Sequence, residues 1–335
     1  MELEKRNPSY FCRPFKATMK TFPILLFSLL LFSCGLINPP VQSRNERPTT
    51  TDSTAQASAR KDTLRNQLRT ISEASQGTLG VAILNLENQD TLNFNGHMHF
   101  PMQSVFKFPL AMAVLHQVDR GTIKPDASLH FGKTDLHPNT WSPIFTRHPQ
   151  GFADVPLFDV LRFTVTQSDN NGCDRLFSLI GGPDTLNNFV HHLGVSQIQI
   201  KATEAQMHTD WDTQFTNWAE PLAMMQLLKI LFQGSCLSPA SNDTLLKLMT
   251  ETETGVKRIK GLLPPGTLVA HKTGSGPTNK AGITSATNDV GIITLPNRKH
   301  VALVVFLMNS AADETSRELT LARVARATYD YAVKK

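Results

Sequence analysis

Cysteine is scarce in this chain, with four in 335 residues. Cys12 and Cys34 fall near the N-terminus, which leaves Cys173 and Cys236 for the remainder. Nothing in the sequence says that these two are close enough to pair. The fold therefore does not rest on disulfides, and Cys173, in an apolar helical context, reads as a buried thiol. Basic clusters interleaved with aromatics are missing, which argues against a nucleic-acid partner. His97, His99, His191, His192 and His208 form no ligand pattern with a nearby cysteine, so no metal is expected and no cofactor is implied. The apolar run Phe22–Phe32 is too short to span a bilayer. No internal repeat is visible.

What is present is enough for a real core: 40% hydrophobic and 18% charged residues support one or two lobes. The formal charge of +5 overstates how basic the working protein is. Lys5, Arg6, Arg13, Lys16 and Lys20 precede residue 34 with only Glu2 and Glu4 to offset them, so the remainder is near +2. Lys20, the run Phe22–Phe32 and Ser33-Cys34-Gly35 have the layout of a secretory signal. Leu31-Phe32-Ser33-Cys34 resembles a bacterial lipoprotein box, in which Cys34 would be lipidated and become the mature N-terminus. Phe32 is bulkier than usual there, so ordinary signal-peptidase cleavage stays open. Met19 is a more natural start for such a signal than Met1. The expectation is an exported, periplasmic protein that meets a membrane only through a lipid on Cys34. Residues 1–34 form the leader, 35–61 a polar, disordered tether, and 62–335 one domain of two lobes.

Periodicity gives the elements of that domain. Lys61–Ser75 reads as an amphipathic helix, and Thr78–Leu86 and Thr91–Phe94 as strands joined at Glu87-Asn88-Gln89-Asp90. In the first strand Leu79, Val81 and Ile83 alternate with Leu84 and Leu86 on the other face. Helices follow at Ser104–Arg120, with Gly121 as C-cap, then Leu157–Thr166, Gly172–Leu179, Asp184–Leu193, Pro221–Phe232 and Asn242–Glu251. Leu268–His271, Thr287–Leu295 and His300–Met308 read as antiparallel strands, and Ser316–Val333 closes as a helix. Between Lys201 and Trp218 lies a long segment of weak periodicity, the kind that is functional or disordered. Strands at both ends with helices inserted between them predict an α/β (α+β) architecture. A sheet lobe (62–100 and 262–335) would face an all-helical lobe (101–261), with the site in the cleft between.

From Val105 to Leu115 nearly every residue is apolar, so this helix is buried on most sides. Ser104 and Lys107 interrupt it at i, i+3 on one face. A lysine in such a helix needs partners or a shifted pKa, and a serine at the helix N-terminus beside it is a plausible activated nucleophile. The plain alternative is a capping serine next to a lysine that snorkels to the surface.

Three further motifs decide between these. Ser104-Val105-Phe106-Lys107 is followed in order by Ser168-Asp169-Asn170, by Glu204 in the aperiodic segment, and by Lys272-Thr273-Gly274. Taken singly each is weak: Ser168-Asp169-Asn170 could be a capping turn, Glu204 a solvated glutamate and Lys272 an edge charge. Together they resemble the class A serine β-lactamases, with S-x-x-K, S-D-N and K-T-G signatures. The resemblance runs from about residue 62 to the end. Met102–Pro109, Ser168–Asp174, Glu204–His208 and His271–Gly276 look like the branch containing the PER and VEB extended-spectrum enzymes.

The resemblance implies an acyl transfer on small-molecule β-lactams, carried out by a monomer. Ser104 would be the nucleophile, and the backbone N–H groups of Ser104 and Ser275 the oxyanion hole. Lys107 would take the Ser104 proton or hold the hydrogen-bond network, and Ser168 would relay a proton to the lactam nitrogen. Asn170 would offer its amide to substrate and to Lys107. Lys272 and Thr273, followed by Gly274, would favour the substrate carboxylate. Glu204 would activate the water that releases the acyl group; whether it or Lys107 is the acylation base is open. Arg258 matches a second cation for the carboxylate, with a surface arginine as the alternative. Trp141 matches the aromatic at the cleft mouth, with core packing as the alternative. His208 would line the loop beside Glu204.

Two departures from the wider family matter. Ala202 and Asn217 stand where an Arg–Asp ion pair usually pins the glutamate loop, so that loop must be held another way. Ala111 replaces the usual disulfide cysteine. They imply a cephalosporin-preferring, extended-spectrum enzyme. A penicillin-binding D,D-peptidase shares the first and last motifs but lacks the deacylating glutamate. A non-catalytic exported lipoprotein on the same scaffold is the remaining alternative.

Overall fold

The alternation along the first strand decides the layering of the molecule. A computed structural model describes residues 50–334; the leader with Cys34 and residues 35–49 lie outside them. In the strand Thr78–Asn85, Leu79, Val81 and Ile83 enter one hydrophobic core and Ala82 and Leu84 another. A strand buried on both faces belongs in the middle of a layered sheet. It pairs on one side with Thr91–Phe94 and on the other with His300–Ser310, and the sheet continues through Thr284–Thr294 to Val269–Ser275. All four pairings are antiparallel. The first core gathers Leu64 and Leu68 of the N-terminal helix with Leu321, Val324 and Ala325 of the C-terminal helix Glu314–Val333. The second joins the opposite sheet face to the helices, giving the expected α/β arrangement.

Helices Leu157–Thr166 and Pro221–Phe232 have the expected bounds. Asn170–Ile180, Pro183–His192 and Pro239–Thr250 start slightly earlier than periodicity indicated. Asp169 and Ser238 cap two of them, and Pro183 and Pro239 occupy first turns, where a missing N–H costs nothing. The N-terminal helix runs Thr50–Ala74, so residues 50–61 of the expected tether are helical. Residues 50–61 contain neither Gly nor Pro and carry Ala55, Ala57 and Ala59, so nothing local stops the helix. Among the described residues no helix is long and apolar enough to cross a membrane.

Three features position the cleft. The central element is a 3₁₀ turn, Gln103–Phe106, leading into the α-helix Lys107–Asp119, whose residues Lys107–Leu115 are all buried. The segment Lys201–Trp218 holds a short helix, Glu204–Met207, and a 3₁₀ turn, Thr213–Thr216. The edge strand extends past His271 to Ser275, because Lys272, Thr273 and Gly274 pair with Val290, Asp289 and Asn288. Strand pairing there overrides the weak β preference of Lys and Gly.

Candidate active site

Ser104 is presented by a strained turn pinned from two sides. The residue before it, Gln103, is buried with φ +49°, a left-handed conformation that persists only when its surroundings enforce it. Its Nε2 donates to Oε1 of Gln214 at 2.7 Å, and the hydroxyl of Ser285 donates to the same oxygen at 2.7 Å. From the sheet side, Asn288 Nδ2 donates to the carbonyls of Pro101 (2.7 Å) and Met102 (3.1 Å). Gly274 must be glycine for the turn and the edge strand to approach this closely. A Cβ there would lie 2.5 Å from the Met102 carbonyl oxygen.

Neither plain alternative for Ser104 and Lys107 survives. Ser104 caps no helix; its Oγ donates to Oε1 of Glu204 at 3.1 Å. Lys107 does not snorkel, since its side chain is wholly buried. Its Nζ lies 2.9 Å from Ser104 Oγ, 2.9 Å from the Ser168 carbonyl and 2.5 Å from Oδ1 of Asn170. It also lies 2.8 Å from Oε1 of Glu204 and 3.4 Å from Ser168 Oγ. An ammonium has three protons, so these acceptors saturate it and make its burial tolerable.

Ser168 likewise has a positive φ, +60°. Asp169 explains how that turn is held: it accepts N–H bonds from Gly172 and Ile144 at 2.7 Å each, and the Ser142 hydroxyl at 2.9 Å. Burial pushes its carboxyl above the usual carboxylate range while these bonds pull it back. The Ser168 hydroxyl accepts from Lys272 Nζ at 3.0 Å. Lys272 is fully buried, and burial followed by the charge of Lys107 holds its ammonium well below the ordinary lysine value. Asn170 Nδ2 donates to Thr140 Oγ1 at 2.7 Å, which fixes the amide with its oxygen toward Lys107.

Glu204 opens its short helix and is buried. Asp174, one helical turn beyond Asn170, accepts the backbone N–H groups of Glu204 (2.7 Å) and Ala205 (2.8 Å). Burial, reinforced by the negative charge of Glu204, pushes the Asp174 carboxyl up to about 6. At the loop base, Asn217 Oδ1 accepts from Lys201 N and Ala202 N at 2.7 and 2.9 Å, and its Nδ2 donates to the Ala202 carbonyl at 2.8 Å. Neutral amide bonds thus take over where an ion pair was missing. His208 lines the loop as expected, with Nδ1 2.6 Å from the Glu204 carbonyl.

A cleft of about 620 Å³ is lined by Ser104, Trp141, Ser168, Asn170, Arg258 and Ser275, among others. Trp141 is 64% exposed, so core packing is excluded, and its Nε1 donates to the Gln167 carbonyl at 2.7 Å. Arg258 is no surface arginine. It is buried, ion-paired to Glu318 at 3.2 Å, and donates to the Gly274 and Asn288 carbonyls, both at 3.1 Å. Its Nη2 donates to Ser275 Oγ at 2.7 Å, which leaves the hydroxyl proton of Ser275 to be donated elsewhere. Thr273 Oγ1 lies 2.5 Å from Thr254 Oγ1. The structure therefore brings the expected catalytic and substrate-binding residues of the domain to one cleft. Cys173 and Cys236 are not joined in a disulfide. Among the described residues no group of three or more His, Cys, Asp or Glu is placed to hold a metal ion.

Sequence reasoning missed Gln103 with Gln214, Asn288 and Asp174 as site residues. The two glutamines and Asn288 have no local signature, because their partners lie about a hundred positions away or more. Asp174 follows Asn170 by one helical turn, and that spacing alone could have flagged it.

The comparisons agree with this geometry. A model of the β-lactamase enzyme family matches residues 63–332. The chain is 42% identical over 281 residues to β-lactamase VEB-1 of Pseudomonas aeruginosa, covering 83% of this chain and 93% of that protein. It is 40% identical over 283 residues to the extended-spectrum β-lactamase PER-1 of the same species, covering 84% and 92%. Among solved structures, a β-lactamase from Chitinophaga pinensis superposes with a TM-score of 0.79 at 50% identity, over 81% of this chain and 99% of that one. The TLA-1 extended-spectrum β-lactamase does so with a TM-score of 0.80 at 47% identity, over 82% and 99%. With its sheet, its cleft and its four motifs assembled as described, this chain belongs to the class A β-lactamases.

Proposed function

We propose that the enzyme hydrolyses β-lactams through an acyl-enzyme on Ser104, with Glu204 as the proton acceptor in both half-reactions. The observation that carries this is the single hydroxyl of Ser104 held between Glu204 Oε1 at 3.1 Å and Lys107 Nζ at 2.9 Å. A carboxylate only accepts and an ammonium only donates, so the serine proton is directed at Glu204. Lys107 acts as the charged organiser. Ser104 Oγ attacks the lactam carbonyl, the N–H groups of Ser104 and Ser275 meet the developing oxyanion, and the C–N bond breaks. Ser168, bonded to Lys272, passes its proton to the departing nitrogen. It is re-protonated through Lys107 with the proton that Glu204 took from Ser104, so Glu204 is again a carboxylate. Water then attacks the ester and gives its proton to Glu204, and Ser104 regains its own as the acid leaves. A cavity of about 190 Å³, lined by Asn170, Asp174, Glu204 and His208, offers polar room for that water.

The substrate's carboxylate is received by Lys272, Thr273 and the outward proton of Ser275, with Arg258 setting the local charge. Extended-spectrum action on bulky cephalosporins is part of the proposal. It is supported by the likeness to the extended-spectrum β-lactamases PER-1 and TLA-1, by Trp141 standing open at the mouth, and by a glutamate loop held by amide bonds. We also propose export to the periplasm with a lipid on Cys34.

Glu204→Gln tests the mechanism. Mixed with penicillin, the variant is expected to accumulate a stable adduct on Ser104 by intact mass, with turnover reduced about 100-fold or more. Turnover at the wild-type rate would remove Glu204 from its role.

A further inference from the structure

Behind the cleft wall lies a hydrogen-bonded pair, His271 and Asp289, that faces no part of the cleft. The two residues, on neighbouring strands, are both fully buried. Nδ1 of His271 is 2.9 Å from one carboxylate oxygen of Asp289 and 3.1 Å from the other. The second oxygen also accepts the backbone N–H of Ile259 at 3.1 Å. The places of these partners in the chain are informative: His271 immediately precedes Lys272, and Ile259 immediately follows Arg258. A carboxylate at this depth is expensive, and well-packed apolar residues would stabilise a sheet as well or better. The Nε2 of His271 even remains buried without a hydrogen-bond partner. Fold stability alone gives no reason for the pair.

We propose that Asp289 is a positioning residue for the reaction: one buried carboxylate ties the strand bearing Lys272 to the turn bearing Arg258, and so fixes the cation that receives the substrate's carboxylate and the one that sets the charge around it. The inference rests on the roles given above to Lys272 and Arg258. Charge works in the same direction as geometry. Burial and Lys107, on the central helix, disfavour the Lys272 ammonium. Glu204 on the loop helix, Asp289 on the neighbouring strand and Cys173 on the helix Asn170–Ile180 favour it. Burial on the Arg258 turn holds the Lys260 ammonium below the ordinary lysine value, and Asp289 opposes that shift. Asp289 therefore helps keep Lys272 charged without touching substrate.

The test uses the full chain with Asp289→Asn, which keeps the shape and removes the charge. Kinetics are followed on a chromogenic cephalosporin carrying its ring carboxylate and on the corresponding methyl ester. Expected are a rise in KM for the acid of about tenfold, little change in kcat, and an alkaline limb of kcat/KM displaced to lower pH. KM for the ester should not move. An unchanged KM and alkaline limb, or equal losses on acid and ester, would overturn the proposal, since a merely structural role has no reason to single out the carboxylate. Should Asp289→Asn fail to fold, His271→Phe decides, because it leaves the carboxylate in place with one partner fewer. A higher KM for the acid alone supports the clamp, and an unchanged KM overturns it. If the wild-type enzyme treats acid and ester alike, the assignment of Lys272 and Arg258 falls instead, and no variant is needed to see it.

Discussion

Asp174 holds the N–H groups of Glu204 and Ala205, and burial with the nearby charge of Glu204 raises its carboxyl from 3.8 to about 6. The folded chain thus binds this proton more readily than the unfolded one. Ionising the group costs stability, a cost absent below about pH 4 and fully expressed above about pH 6. Catalysis has the opposite preference, because a neutral carboxyl is the weaker acceptor for those two N–H groups. An acidic limb in kcat near pH 6 is the expected result. Asp174→Asn should abolish that limb and lower kcat about tenfold, which pH–rate profiles of the two enzymes will check. Persistence of the limb in the variant would assign it to another group. Asp174 was within reach of sequence reasoning, one turn after Asn170. What its carboxylate grips, thirty residues further on, was not.

The element that most distinguishes this enzyme is the loop Lys201–Trp218. Its weak periodicity marked it as functional or disordered, and the missing Arg–Asp pair showed that something else must hold it. The answer is an amide, since Asn217 is fully buried and makes three bonds to the backbone of Lys201 and Ala202. Removing these with Asn217→Ala should cost about 2–3 kcal/mol of stability and loosen Glu204 more than Ser104. Stopped-flow measurements with a chromogenic cephalosporin should then show a near-normal acylation burst followed by slowed turnover. Loss of the burst itself would mean that the loop also shapes the nucleophile's turn, for which Gln214, bonded to Gln103, provides a route.

For the molecule as a whole, the sheet separates two cores with different duties. Leu64 and Leu68 pack with Leu321 and Val324 on the face away from the cleft. Leu68→Ala should lower stability by about 2–5 kcal/mol and reduce Tm by several degrees. Its kcat at 25 °C should match the wild type, because the sheet lies between the cavity it creates and Ser104. A kcat that fell in step with Tm would show the two cores to be mechanically coupled. The largest boundary shift at this scale is the start of the N-terminal helix, at Thr50 rather than Lys61. An apolar stripe marks where a helix packs, and a polar, alanine-containing stretch can be helical without one.

By itself the sequence determined the order and type of the long elements, because burial on one or both faces writes a period into Leu79–Leu86 or Val105–Leu115. It also pointed to the chemistry, because a lysine in an apolar helix called for partners, and the resemblance carried by the four motifs named Ser168, Asn170 and Glu204 beside it. Tertiary structure alone decided the rest. It moved Arg258 from a possible surface residue to a buried brace, and placed Trp141 at the mouth of the cleft. It turned Asn288, Gln214 and Asp289 into supports of the site. The physical reason is the same each time. Hydrophobic periodicity is a local consequence of burial, whereas a buried polar side chain takes its meaning from partners that only folding brings within 3 Å.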